Sequence, residues 1–300
     1  MGEALRVAVA VAVVTMGNRP EEVDALLESV AKQDVPPTRI VIVGNGCRLP
    51  EFAERLSLPG DVTVVELEEN LGCPGGRNVG LARLREFGDV DVVVELDDDG
   101  LLVDADVLRR VRELFAADGQ LGVVGFRIAD ELGETQQRHV PRVGASDPLR
   151  GGYVTGFLGG GHGFRMAMLD EIGDWPARFF FAHEETDLAW RAADAGWRIL
   201  YAPELLLQHP KTSPARHAVY YRVNARNRVW LARRRLPLAL IPVHLGVWVL
   251  LTLVRNRSAA GLRAWFGGFA EGMREPAGER RAMRWRTVWR LTRLGRPPVI

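Results

Sequence analysis

Cysteine is nearly absent from this chain: Cys47 and Cys73 are the two among 300 residues. Two thiols build neither a disulfide framework nor a four-ligand zinc site, and they read as reduced groups in a cytosolic protein. A dominant sign of charge is missing too. Lysine plus arginine number 39 against 38 acids, a formal charge of +1, which removes the reason to expect a nucleic-acid partner. A secretory signal is not expected, because the apolar run after Arg6 is short and leads into a polar turn. The phosphate-binding Walker loop and the dinucleotide fingerprint do not occur, and neither do internal repeats or low-complexity linkers.

What remains is a strongly patterned chain with 47% hydrophobic residues, enough for a substantial core. Residues 6–15 form a Val/Ala run of the kind found in strands covered on both faces. Helical spacing of Val23, Leu26, Leu27 and Val30 follows, then strands over 39–43 and 62–67. The glycine-rich loop 70–78 feeds a helix expected over 78–87, and a fourth strand covers 92–96. Helices over 105–117 and 166–172 and strands over 121–128 and 197–201 continue the alternation. Such alternation predicts an α/β fold with a doubly wound, mostly parallel sheet and ligands at the strands' carboxyl edge.

The fourth strand ends in Glu95-Leu96-Asp97-Asp98-Asp99-Gly100. Three adjacent acids cannot continue into a core, so they belong where the strand emerges. Carboxylates there suit a hard divalent cation, Mn²⁺ or Mg²⁺; the plain alternative is a solvated acidic turn. A second acidic cluster, Glu184-Glu185-Thr186-Asp187, follows the apolar Phe179-Phe180-Phe181. Thr186 reads as a helix N-cap, with Leu188, Ala192 and Ala195 facing inward and Gly196 ending the helix. Capping leaves Glu184 and Glu185 unexplained, and a carboxylate held against apolar surface can serve as a general base. His209 suits a metal or an ordinary structural role. The glycine-rich stretch 151–163 permits substrate to approach the backbone, or merely kinks an edge strand.

Taken in order, these parts resemble an inverting, family 2-type nucleotide-sugar glycosyltransferase with a GT-A fold, of the bacterial cell-envelope polysaccharide kind. Residues 7–15 with Asn18-Arg19 are similar to its first strand and nucleotide-binding turn. Residues 41–46 and 70–80 resemble the second strand's end and the loop after the third. Asp97-Asp98-Asp99 is similar to its metal-binding D-x-D element. Glu184 to Asp187 with Leu188-Ala189-Trp190-Arg191 resembles the segment that supplies its base. His209 with Ser213, then Asn224-Ala225-Arg226-Asn227-Arg228, resembles its carboxyl-terminal metal and acceptor region. The likeness runs over about residues 6–235. Two positions depart from it: Gly44 stands where the family carries an acid against the nucleotide base, and Glu185 replaces an aspartate.

The resemblance implies transfer of a sugar from a nucleoside diphosphate donor, a UDP- or dTDP-sugar, to an acceptor hydroxyl with inversion. It implies Asp97, Asp99 and His209 as ligands of Mn²⁺ or Mg²⁺. It implies donor contacts from Thr15, Asn18, Arg19, Asn45, Asn70, Gly72, Arg77, Asn78, Asp97 and Asp98. The base would be Glu184, Glu185 or Asp187, with Glu185 favoured by its place in the motif. The acceptor would be a lipid-linked or cell-envelope glycan. Two rivals stand beside this reading: a sugar-phosphate nucleotidyltransferase, and a non-catalytic sugar-nucleotide-binding membrane scaffold.

The chain divides into an expected catalytic domain, residues 1–235, and an apolar, basic helical region, 236–300. Residues 236–254 are the most apolar stretch and approach the roughly 20 needed to span a bilayer, but Pro237, Pro242, His244 and Gly246 weaken that reading. Flanking arginines and Trp265, Trp285 and Trp289 favour a helix lying on a membrane surface, over one buried in a homodimer. A peripheral location at the inner face of the cell membrane follows.

Overall fold

The computed structural model describes residues 7–49, 58–144, 147–211 and 218–300. The amino-terminal half alternates β1 (Val9–Thr15), α1 (Pro20–Ala31), β2 (Arg39–Gly44), β3 (Asp61–Glu66), α2 (Gly72–Phe87) and β4 (Val92–Asp97). After it come β5 (Leu101–Leu102), α3 (Val107–Ala117), β6 (Leu121–Ala129), β7 (Gly152–Tyr153), β8 (Gly161–Arg165) and α4 (Met166–Ile172). Then follow α5 (Glu184–Ala195), β9 (Arg198–Gln208), α6 (Ala218–Arg235), α7 (Leu240–Arg255), α8 (Ala259–Arg274) and α9 (Trp285–Arg293).

The strands form one sheet in the order β3-β2-β1-β4-β8-β6-β9-β5, with β7 paired to β9. Its first four strands are parallel. The expected α/β sheet with flanking helices is there, but it is mixed, because β8 runs antiparallel between β4 and β6. The end of the glycine-rich stretch therefore lies in the middle of the sheet, as β8, while its start is the short strand β7 paired to β9 alone. β9 is longer than the expected strand over 197–201, since it resumes beyond Pro203 after an irregularity in its ladder with β6.

Alternation along β1 explains the two layers. Val9, Val11 and Val13 face one core with α1 and α3, and Ala10 and Ala12 face the other with α2. Each fully buried valine contributes about 1.5–3 kcal/mol by leaving water. The small residues on the second face bring α2 close, and it starts earlier than the expected helix over 78–87. The glycine-rich loop is its first turns. Gly72 has φ +75°, and a Cβ there would stand 2.4 Å from the Phe180 carbonyl oxygen, so glycine alone fits.

α5 also departs from expectation. It begins at Glu184 rather than after a Thr186 cap, and Ala189 and Ala193 are buried while Ala195 is exposed. The three residues Phe180, Ala182 and His183 all have positive φ, at 62°, 71° and 72°. Non-glycine residues occupy that region at a cost, and the surroundings must enforce it. Asn227 on α6 does so. Fully buried, its amide nitrogen donates to the carbonyls of Phe179 at 2.8 Å, Phe181 at 2.7 Å and Ala182 at 3.0 Å.

A third apolar cluster joins α5 to the carboxyl-terminal helices through Phe179, Trp190, Trp230, Leu236, Leu245 and Leu291. Among the described residues no helix is long and apolar enough to cross a membrane. Asn227→Ala should lose about 3 kcal/mol in urea unfolding, because it leaves buried carbonyls without a donor. A loss below about 0.5 kcal/mol, ordinary for a surface change, would contradict the clamp.

Candidate active site

The carboxyl ends of β1, β2 and β4 meet the start of α2 around a cavity of about 270 Å³. The acidic run leaves β4 as a tight turn, with the Gly100 amide donating to the Asp97 carbonyl at 2.9 Å. The turn and site readings therefore coincide. β5 follows at once and pairs with the end of β9, Leu101 opposite Gln208. That pairing brings His209 to the acids, its Nε2 lying 3.0 Å from Asp99 Oδ1 and 4.0 Å from Asp97 Oδ2. Ligand atoms of Asp97, Asp99 and His209 all lie within 4.8 Å of one another. Two carboxylates and an imidazole at that spacing fit Mn²⁺ or Mg²⁺.

Charge is arranged around this trio. The hydrogen bond that His209 Nε2 donates to Asp99 lifts its imidazole to about 9 despite burial. Burial alone would raise Asp99, but His209 and Arg19 outweigh it and its carboxyl lies below the ordinary range. Arg19 Nη1 stands 2.5 Å from Asp99 Oδ2 and 3.2 Å from Asp98 Oδ1. Burial raises Asp98, while its hydrogen bond to Thr15 and the Arg19 charge oppose that. Arg19 and Thr15 thus hold the acids. Asp98 turns toward β1, away from the trio.

Arg77 reaches the same acids from below. It is 4% exposed, and its Nη2 donates to Asp97 Oδ1 at 2.9 Å and to the Gly159 carbonyl at 2.7 Å. Its Nε lies 3.7 Å from Glu95, and its guanidinium covers the Trp175 ring at 4.9 Å. Glu95 in turn bonds His162 Nε2 at 2.9 Å and receives Trp175 Nε1 at 3.0 Å. Sequence reasoning passed over Glu95, His162 and Trp175. The available signal was a single glutamate inside a valine strand.

The expected donor contacts divide into two groups. Thr15, Asn45, Asn70, Gly72, Arg77, Asp97 and Asp98 line the cavity together with Phe180 and Phe181. Asn18, exposed on the β1–α1 turn, and Arg19, bonded to Asp98 and Asp99, are not part of its wall. Asn78 is not there either: its amide bonds both backbone groups of Trp175 at 3.0 Å. Asn45 ties the end of β2 to α2 through Asn70, Leu71 and Gly72. At Gly44 a Cβ would meet the Cys47 carbonyl oxygen at 2.6 Å, so no acid fits where the family carries one.

Asp187 cannot serve as the base. It is fully buried and paired with Arg235 at 2.7 Å and Arg191 at 2.8 Å, with Arg234 at 3.5 Å. Those arginines hold its carboxyl below the ordinary range against the opposing effect of burial. Among the described residues Glu184 and Glu185 form no such ion pairs. Burial, then the charge of Glu185, pushes Glu184 up to about 8, and one of its buried oxygens has no hydrogen-bond partner among the described residues. Burial also raises Glu185, which Arg77 counters. A Cβ at Gly159 would lie 2.7 Å from Glu185 Oε1. Glycine there lets the Glu185 carboxylate approach the backbone that Arg77 holds. Of the carboxyl-terminal candidates, Ser213 lies outside the described residues and Asn227 is the clamp described above.

Comparison with known proteins bears on the whole arrangement. The pattern defining Glycosyl transferase family 2 matches residues 11–173, more than half of the chain. The O-antigen chain rhamnosyltransferase RfbN of Salmonella typhimurium is 20% identical over 198 residues, 61% of this chain and 60% of that protein. Staphylococcus aureus TarS 1–349 with UDP-GlcNAc superposes with a TM-score of 0.64 at 18% identity, over 89% of this chain and 81% of that one. GalNAc-T7 with UDP, GalNAc and Mn²⁺ gives 0.63 at 13% identity, over 90% of this chain and 56% of that one. The mannosyltransferase PcManGT of Pyrobaculum calidifontis with GDP-Man and Mn²⁺ gives 0.57 at 18% identity, over 96% and 85%. These likenesses show a shared fold. With the family pattern over most of the sheet, they lead to one conclusion: the chain belongs to glycosyl transferase family 2.

Proposed function

We propose that the protein is a metal-dependent inverting glycosyltransferase that moves a sugar from a UDP- or dTDP-sugar to an acceptor hydroxyl. The observation that carries this reading is the convergence of Asp97, Asp99 and His209 at the sheet edge, with Glu185 across the Gly159 backbone. Asp97, Asp99 and His209 hold a divalent ion, which when bound offsets negative charge on the leaving diphosphate. Thr15, Asn45, Asn70 and Gly72 receive the nucleoside, beside the exposed rings of Phe180 and Phe181. Glu185 takes the proton of the acceptor hydroxyl as its oxygen bonds to the anomeric carbon and the sugar–diphosphate bond breaks. Glu184 remains protonated at neutral pH, so Glu185 does not face a second full charge.

Residues 1–235 are the catalytic unit in this reading, and 236–300 face a membrane surface at the cytoplasmic side. Exposed Leu250, Leu253 and Val254 on α7 and exposed Trp285 and Trp289 on the arginine-rich α9 support that. A lipid-linked or cell-envelope glycan acceptor accords with such a location and with the O-antigen relative.

Asp99→Ala should weaken Mn²⁺ binding in calorimetry by more than about tenfold and abolish Mn²⁺-dependent hydrolysis across a panel of sugar nucleotides. Full activity in that variant would refute the metal assignment. Glu185→Gln should keep nucleotide affinity and lose transfer by about 10²–10⁴-fold. Loss of both together would make Glu185 structural.

Glu184 also predicts a pH effect on stability. Its folded-state pKa is raised from 4.5 to about 8, so the stability present below pH 4.5 declines as pH rises to about 8. Glu184→Gln should equal the wild type in urea unfolding at pH 4 and exceed it at pH 8. A variant less stable than the wild type at pH 8 contradicts the assignment.

A further inference from the structure

Beside Glu185 lies a second cavity, of about 90 Å³, that the donor site does not use. Its wall brings together the 155–157 segment, the start of α5, α6, α7 and the segment after α9. Two guanidinium groups reach it, Arg228 from α6 and Arg296 from beyond α9. Among the described residues neither guanidinium has a hydrogen-bond or ion-pair partner; Arg228 is 9% exposed and carries the burial cost, while Arg296 is an exposed residue at the cavity mouth. The Trp248 ring centre lies 3.4 Å from the Arg228 guanidinium carbon. Elsewhere in this protein buried arginines find carboxylates or carbonyls, as Arg77 and Arg235 do. Burying a cation without a counter-charge is costly unless a ligand supplies one.

The other polar groups of the wall are also unfilled. Arg228 Nε, Thr155 Oγ1, His183 Nε2 and His244 Nε2 are buried without hydrogen-bond partners among the described residues. His244 Nδ1 lies 3.0 Å from the Pro298 carbonyl, which makes it the donor nitrogen. Burial keeps this imidazole neutral, pulling it down to about 4, so its Nε2 offers a lone pair to a hydroxyl. The wall therefore presents two cations for an oxyanion and an acceptor for an adjacent hydroxyl. A phosphorylated sugar carries both groups. An oxyanion with several lone pairs can satisfy donors arriving from different elements at once.

We propose that this cavity, walled by Arg228, Arg296, Thr155, His183 and His244 with Glu185 at its edge, is an acceptor subsite for the phosphate of a phosphorylated sugar. The acceptor assignment rests on the glycosyltransferase reading, whereas anion binding does not. Seating the phosphate between the two arginines fixes the sugar beside Glu185, where its hydroxyl would surrender a proton.

The test uses the full chain in EDTA, which leaves the divalent-ion site without metal. Calorimetry follows binding of a sugar 1-phosphate, an isoprenyl diphosphate-linked sugar, inorganic phosphate and the uncharged methyl glycoside. Both phosphorylated sugars should bind more tightly than inorganic phosphate, and the methyl glycoside should bind weakest. Stronger binding of the lipid-linked sugar than of the sugar 1-phosphate identifies the lipid-linked form as the source; the reverse identifies the soluble one.

Arg228→Gln and Arg296→Gln should each weaken sugar-phosphate binding about thirtyfold or more. Thermal melting reports whether each variant folds, and Arg296→Gln carries the test if Arg228→Gln does not fold. Unchanged sugar-phosphate affinity in a folded variant overturns the subsite. Inorganic phosphate binding as tightly as the phosphorylated sugars overturns its role as an acceptor site. Failure of sugar-nucleotide hydrolysis with this binding intact would count against the enzymatic reading alone.

Discussion

One buried guanidinium permits the acids of this site to converge. Arg77 sits beneath the sheet edge, bonded to Asp97 and the Gly159 carbonyl, 3.7 Å from Glu95 and stacked on Trp175. Asp97, Glu95, Glu184 and Glu185 are all close enough to feel it or one another. Like charges gathered in a poorly hydrated place repel strongly, and an opposite charge at their centre is what makes the gathering tolerable. Their pull more than offsets the burial of the guanidinium, whose proton is held more tightly than usual. Arg77 thus organises the site from the protein side, beneath the cavity floor.

Much of the fold was legible because it rests on periodicity. The Val/Ala strands and the spacing of Val23, Leu26, Leu27 and Val30 are properties of a chain that covers both faces of a sheet. The acids do come where β4 ends, since three carboxylates cannot continue a strand into the core, but the pairing of β5 with β9 that brings His209 beside them was not legible. The antiparallel direction of β8 was not legible: glycine-rich segments carry too few side chains to signal which neighbour they will join. The first turns of α2 were missed for a related reason. Their glycines serve close packing against Phe180 and β1, a tertiary demand that local propensity does not reveal.

Other misreadings came from side chains whose partners lie far along the chain. Asp187 resembles a site acid in sequence, and only the arrival of Arg234 and Arg235 on α6 shows that it is a structural ion pair. Asn227 stands in a polar helical run and gives no local hint of the three carbonyls it serves. Both connect α6 to the segment that carries Glu184 and Glu185. The region before Leu236 is thus part of the scaffold of Glu184 and Glu185, and the strained backbone at Phe180, Ala182 and His183 persists because a helix forty residues later restrains it.

The two-rung pairing of β5 with β9 has a further bearing on the trio of Asp97, Asp99 and His209. Asp99 stands two residues before Leu101, and His209 one residue after its partner Gln208. The separation of Asp99 and His209 is therefore counted in rungs of a ladder. Side chains alternate faces along a strand, so a shift of one rung would carry the imidazole to the opposite side of the sheet and leave the carboxylates without it. Length changes in the irregular stretch around Pro203 can be absorbed before the final rungs. A single insertion between Leu207 and His209 would instead move the imidazole off its rung.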